Sequence, residues 1–164
     1  MSEKQLRTRI RMWLWLFIIG LALSGITAFP LETELAFLSD HSEAFPAAMG
    51  KWVNTVYIAL KTTNANYPYL AYGTDWLAFG HLVIATSFIG PLRDPVKNIW
   101  VIQYGMIACV MVVPLAFIAG PIRGIPVYWR LIDCSFGLFG IIPLYICYKL
   151  IRKLETVQKG MRVV

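Results

Sequence analysis

One carboxylate interrupts the last apolar run of the chain, residues 131–150, and it belongs to Asp133. Arg130 precedes it by three residues, a spacing at which side chains of one helix can meet, and Arg123 lies in the connection before that run. Because an isolated charge in an apolar span is costly, such a residue indicates either a structural ion pair or a functional site. We expect Asp133 to be buried and paired with one of the two arginines, with a functional acid as the alternative.

His81 is the only histidine within an apolar run. A neutral histidine in such a position can hydrogen-bond to a neighbouring helix, and we expect this role here. Haem ligation would need a second axial ligand. His41 lies in a polar segment, and the methionines of the third apolar run, Met106 and Met111, show no haem-specific spacing. No cofactor is therefore predicted, and haem or quinone binding is a weaker alternative.

A single binding pocket would account for the polar residues of the apolar runs together. Once the chain is threaded across a bilayer, five polar residues fall towards the same end of their apolar runs, and we expect them to form one pocket near the outer leaflet. Such a pocket suits an anionic lipid headgroup, a quinone or a proton-coupled substrate, and it suits equally an ion-pair network that holds the helices. The candidate residues are Asp75, His81, Arg123, Arg130 and Asp133.

Catalytic and metal-binding motifs are absent from the sequence. There is no GxSxG, HExxH or P-loop motif and no Gly-rich dinucleotide turn. Cys109, Cys134 and Cys147 lie in apolar runs without a CxxC pair or a zinc spacing, so buried thiols are expected. The sequence predicts no catalytic residue and no metal ligand. A lipid-modifying enzyme with His81 and Asp133 as acid and base is a weaker hypothesis.

The composition indicates the environment in which these residues must be placed. Apolar residues make up 58% of the 164-residue chain and charged residues 15%, the formal net charge is +6, and the mean hydropathy is +0.62. In soluble domains about a quarter of the residues are charged. This balance excludes a disordered chain, a disulfide-stapled secreted domain and a soluble nucleic-acid-binding protein. It is typical of an integral membrane protein.

Four apolar runs predict an all-α integral membrane protein, a four-transmembrane-helix bundle in a single domain over residues 1–164. A helix of about 20 apolar residues suffices to cross the hydrocarbon core of a bilayer. Pro114 and Pro143 fall within two of the runs, where helices in lipid tolerate proline as a kink. The predicted spans are residues 12–29, 71–90, 99–119 and 131–150.

Lysine and arginine residues set the predicted orientation. With the N-terminus inside, the inner segments hold eleven of the fifteen basic residues and the outer segments four. Cytoplasmic segments of membrane proteins carry such an excess, so we expect a multi-pass protein of the cytoplasmic (inner) membrane with both termini cytoplasmic. The acids Glu32, Glu34, Asp40, Glu43 and Asp75 all fall outside.

The outer segment between the first two spans, residues 30–70, is long for a structureless loop. Apolar residues recur at helical spacing from Met49 to Leu60, and Pro46 stands where a first turn would begin. This pattern predicts an additional amphipathic helix over about residues 46–61, lying on the outer leaflet or over the bundle. A shorter helix is expected at residues 31–38.

Small residues mark the faces at which the spans are expected to meet. Gly137 and Gly140 share a face with Asp133 and should turn it towards neighbouring helices. The other predicted contact faces carry Gly20, Ser24 and Thr27 in the first span and Gly73, Gly80 and Ser87 in the second.

These features favour a non-enzymatic polytopic membrane protein that serves as an accessory, anchor or lipid-binding subunit. Its expected partners are membrane lipids and either a second copy of the chain or another membrane protein, and no nucleic acid. The first alternative is a small dimeric proton-coupled transporter that uses Asp133, although a paired Arg130 would neutralise that acid. The second is a redox subunit that binds haem or quinone.

Overall fold

A computed structural model describes residues 1–162 of this chain, and the side chains of residues 1–160. Over that range the chain forms α-helices joined by short connections, two of which are 3-10 turns at Ser42–Ala44 and Pro68–Leu70, and it forms no β-strand. The helices are α1 Glu3–Ala28, α2 Leu31–Asp40, α3 Ala47–Asn66, α4 Ala71–Ser87, α5 Ile89–Arg93, α6 Ile99–Ile122 and α7 Val127–Arg162.

The all-helical class and the four helices of span length are confirmed. The stretches long and apolar enough to cross a membrane are Glu3–Ala28, Pro68–Arg93, Ile99–Ile122 and Val127–Gly160. Their ends differ from the predicted spans because helical hydrogen bonding continues where apolar character stops. The largest difference is in α7, whose 36 residues measure about 54 Å, well beyond a hydrocarbon core of about 30 Å.

The second predicted span, residues 71–90, is not one continuous helix. α4 ends at Ser87, and a turn at Phe88 separates it from the short α5. Pro91 explains this break, since a proline has no N–H group to donate to the carbonyl of Ser87 four residues earlier. The Asn98 side chain stabilises the connection after α5 by donating from Nδ2 to the Gly90 carbonyl at 3.2 Å.

The helices fall into two compact units. The first unit comprises residues 1–19 and the chain from residue 86 onward, and the second comprises Gly20–Ala85. Both α1 and α4 contribute residues to each unit.

In the first unit, α6 and α7 form an antiparallel hairpin with very close backbones. A Cβ atom on Gly137 would collide with the Cys109 carbonyl oxygen, and one on Gly140 would lie 3.0 Å from the Cys109 Sγ atom. A Cβ atom on Gly105 would lie 2.9 Å from Leu144 Cδ1. The predicted packing role of Gly137 and Gly140 is confirmed, since a larger residue at Gly137 would require the helices to move and one at Gly140 would require the Cys109 side chain to shift.

The beginning of α1 packs against the end of α7 in the same unit. Cys147 is fully buried and its thiol donates a hydrogen bond to the Ile10 carbonyl at 3.7 Å. Towards the termini, Gln158 Nε2 donates to Glu3 Oε1 at 2.9 Å. Glu3 and Gln158 therefore lie at the same end of this unit. The fully buried side chains of this contact include Leu6, Ile10, Leu14, Cys147, Ile151 and Leu154.

In the second unit, α2 and α3 form another antiparallel hairpin, and polar side chains join the two helices. The Ser39 hydroxyl donates to Asn54 Oδ1 at 2.6 Å, and Asn64 Nδ2 donates to Glu32 Oε2 at 2.7 Å. The predicted helix over residues 46–61 is confirmed, and it runs five residues further, to Asn66. Val53 on its inner face is 3% exposed, whereas Ile58 on the opposite face is 62% exposed.

The close glycine contact of α1 within the second unit differs from the predicted one. A Cβ atom on Gly25 would lie 2.8 Å from the Ala78 carbonyl oxygen and 3.0 Å from His81 Cβ. The predicted glycines Gly20, Gly73 and Gly80 have nothing within 4 Å among the described residues. The expected contact face was therefore wrong, because spacing alone does not reveal on which side of a helix its neighbour lies.

Candidate functional site

Three of the five candidate residues lie in the turn between α6 and α7 or in the beginning of α7 that follows it. Gly124 adopts φ +67°, the left-handed conformation that favours glycine, and thereby reverses the chain after α6. The Ile125 amide then donates to the Gly120 carbonyl at 2.9 Å, and the Arg123 amide donates to the Ala119 carbonyl at 3.0 Å. Because backbone amides cap α6, the exposed Arg123 side chain is not needed for capping.

Arg130, in the first turn of α7, reaches back across this hairpin to α6. Its aliphatic stem packs on Gly120, where any side chain would collide with it. Its guanidinium carbon lies 5.8 Å from the centre of the Phe117 ring, within the range of a cation–π contact. The Nε atom is buried and has no hydrogen-bond partner among the described residues. Arg130 is thus a positioned cation with unused donors.

Asp133 is half-buried on the next turn of α7. The ion pairs within the described part of the chain are Arg7–Glu3, Arg152–Glu155 and Lys159–Glu155, none of which involves Asp133 at 4.0 Å or less. The predicted pairing of Asp133 with Arg130 or Arg123 is therefore wrong. The Arg130 side chain instead packs against α6, where its stem fills the space that Gly120 leaves open and its guanidinium lies over the Phe117 ring.

The other two candidate residues lie on α4 in the second unit, and both are half-buried. His81 Nδ1 is 2.8 Å from the Leu77 carbonyl oxygen. A carbonyl oxygen only accepts, so Nδ1 donates the proton of this hydrogen bond. The expected bond from His81 to a neighbouring helix is replaced by this bond within α4. Asp75 lies six residues earlier on the same helix.

The five candidate residues thus divide between the two units. Arg123, Arg130 and Asp133 share one end of the α6–α7 hairpin, whereas Asp75 and His81 belong to the second unit. A pocket that combines all five stays a prediction. Among the described side chains, no group of three or more His, Cys, Asp or Glu residues could hold a metal ion.

Phe117 and Gly120 are the site residues that sequence reasoning missed. Both lie in an uninterrupted apolar stretch and carry no chemical signal of their own. The glycine–proline turn indicated a hairpin, and pairing residues across such a turn would have placed Gly120 opposite Arg130. The rotamer that brings Arg130 over Phe117 depends on the packed helices and leaves no trace in the sequence.

Comparisons with known protein families, curated proteins and solved structures find no match for this chain.

Proposed function

We propose that this chain is a non-enzymatic polytopic membrane protein that acts as an accessory or anchor subunit and binds lipid. One observation carries the proposal: the helices of span length leave large apolar side chains uncovered. Leu115 and Ile118 on α6 are each 66% exposed and Ile122 is 77% exposed. An apolar surface of this extent on soluble proteins marks contact with a membrane or a partner, and lipid tails cover it without any further protein.

The charge distribution supports the proposed orientation. Eleven of the fifteen basic residues lie in the segments placed inside, as positive-inside insertion requires. The hydrogen bond between Gln158 and Glu3 brings the end of α7 to the beginning of α1, which agrees with an even number of crossings. We therefore propose that both termini are cytoplasmic and that the α2–α3 hairpin is external.

Reporter fusions test this topology. A reporter at the C-terminus should give a cytoplasmic signal, and one inserted near Asn64 at the end of α3 should give an external signal. Extraction of membranes at alkaline pH should leave the protein in the pellet. An external C-terminus would refute the four-span arrangement, and release by alkali would refute membrane insertion itself.

A dimeric proton-coupled transporter is the second candidate, and the unpaired Asp133 favours it. A carboxylate that no arginine within the described chain neutralises is available to bind a proton or cation. In proteoliposomes with a potassium–valinomycin gradient, the wild type should then acidify an internal pH dye, and Asp133→Asn should abolish the signal. Asp40→Asn, at an exposed site, is the matched control. No difference between wild type and empty vesicles would exclude proton movement by the chain alone.

A further inference from the structure

We propose that the end of the α6–α7 hairpin binds the phosphate of an anionic lipid headgroup through Arg130 and Arg123. This inference rests on the proposed function as a lipid-binding membrane protein, and it assigns the site and the lipid class. The groups involved all belong to the first unit: Phe117 and Gly120 of α6, Arg123 of the turn, and Arg130 of α7.

The first argument is that Arg130 is held in place without a counter-charge. Its stem rests on Gly120 and its guanidinium over the Phe117 ring, so the side chain has lost rotamer freedom before any ligand arrives. Its buried Nε–H has no acceptor among the described residues, although an unsatisfied buried donor is costly. A phosphate would accept from the terminal Nη groups of the guanidinium and supply a compensating charge, and the planar guanidinium fork matches phosphate geometry.

The second argument is that helix stability does not explain either arginine. Arg130 lies in the first turn of α7, where the helix dipole disfavours a cation. The first turn of α7 contains no acidic residue. Arg123 lies just after α6, where backbone amides of the turn already donate to the carbonyls of Ala119, Gly120 and Pro121. Two cations at one helix–helix turn, with Asp133 forming no ion pair, leave an excess of positive charge there.

The third argument concerns the surroundings, which favour a lipid over a free anion. The Phe117 ring below the guanidinium is part of α6, whose exposed apolar side chains include Ile118 and Ile122. Acyl chains would cover that surface while the phosphate meets the arginines. Tyr128 and Trp129 follow the turn, and aromatic residues of this kind favour the headgroup depth of a bilayer.

The test measures lipid retention by native mass spectrometry of the full chain released from nanodiscs. The discs contain phosphatidylcholine alone or phosphatidylcholine mixed with phosphatidylglycerol. We expect the wild type to retain phosphatidylglycerol preferentially. Arg130→Gln should weaken this retention about tenfold, as loss of a charge-assisted hydrogen bond implies, and Arg123→Gln should weaken it by a smaller factor. Arg130→Lys should fall between wild type and Arg130→Gln, because it keeps the charge and loses the fork.

Two controls keep the result interpretable. Lys153→Gln removes an exposed cation from the distant part of α7, about 34 Å along the helix from Arg130, and should not change retention. Thermal unfolding of each variant in detergent identifies loss of fold, and Arg123→Gln, an exposed site, tests the proposal even where Arg130→Gln unfolds.

Three outcomes would overturn the proposal. Equal retention of the two lipids by folded wild type would exclude headgroup selection. Equal loss of phosphatidylglycerol in Lys153→Gln and Arg130→Gln would indicate general charge rather than a site. If inorganic phosphate raises the melting temperature of lipid-free wild type but not of Arg130→Gln, while phosphatidylglycerol is not retained, the ligand is free phosphate. Each result leaves membrane insertion intact, which alkaline extraction tests separately.

Discussion

The two antiparallel hairpins of this protein are held together in opposite ways. Between α2 and α3 the contact depends on polar side chains, with Asn54 bonded to Ser39 and Asn64 bonded to Glu32. Between α6 and α7 the contact depends on glycine, because Gly137 has no side chain and lets its backbone approach the Cys109 carbonyl of α6.

The surroundings proposed for each hairpin account for this difference. In lipid there is no hydrophobic gain from bringing two apolar helices together, so close packing over glycine must supply the attraction. Two helices in contact with water are stabilised when they bury apolar side chains between them. Hydrogen bonds between their side chains also fix how the two helices align along each other. The α2–α3 hairpin combines both, since Leu35 and Val53 are buried within the same unit. In the proposed topology, glycine and asparagine perform the same task, joining two helices, in different solvents.

Substitution at the closest glycine contact should have the largest effect. Gly137→Ala places a methyl group against a backbone carbonyl, which cannot move without the helix, and overpacking of this kind costs about 1–3 kcal/mol. Thermal or denaturant unfolding in detergent measures the loss. Gly80→Ala is the matched control, because nothing lies within 4 Å of the added methyl, and it should stabilise α4 by up to about 1 kcal/mol. Equal effects of the two substitutions would contradict close packing as the basis of the α6–α7 hairpin.

Removal of the amide between α2 and α3 should have a smaller and more local effect. Asn54 accepts from Ser39 and donates to Ser42, so Asn54→Ala removes two side-chain bonds and should cost about 1–2 kcal/mol. Hydrogen exchange of the α2 amides should quicken while exchange in α7 stays unchanged. Asn66→Ala serves as the control, because within the described part of the chain the Asn66 side chain bonds only to the Thr62 carbonyl of its own helix. Faster exchange in both variants would mean that any change in α3 loosens the hairpin.

Labelling along α3 should change stability least and still discriminate between the two faces of the helix. In a background without Cys109, Cys134 and Cys147, single cysteines should react with a water-soluble maleimide at Ile58 and react much more slowly at Val53. The reason is the one-sided contact of α3 within its unit. Uniform reactivity along the helix would show that α2 and α3 separate in the protein.

Much of the fold could be predicted from the sequence because it depends on local patterns. Runs of apolar residues set the four helices of span length, and the recurrence from Met49 to Leu60 set α3. Helix ends were less predictable, since the hydrogen-bond ladder of α1 and α7 continues into polar segments. The position of Pro91 indicates the break after Ser87, whereas the apolar composition of this run suggests one continuous helix.

The candidate site was only half accessible by the same reasoning. Asp133 and Arg130 are conspicuous as charges in an apolar context, and their spacing suggested a pair. In the structure Arg130 does not pair with Asp133. Its stem fills the space that Gly120 leaves open, and its guanidinium lies over the Phe117 ring. The spacing of residues along α7 could not reveal that residues of α6 offer Arg130 another contact.

The sequence by itself determined the helical class, the four helices of span length, the amphipathic character of α3 and the asymmetry of charge, since each is a property of composition or of period along one segment. Only the tertiary structure decided that Gly25 rather than Gly20 meets α4, that His81 bonds to Leu77, and that Arg130 turns towards α6. Those outcomes depend on which surface a neighbouring helix presents and on the rotamer that fits it. Residues distant in the chain set both, so no pattern within one segment contains them.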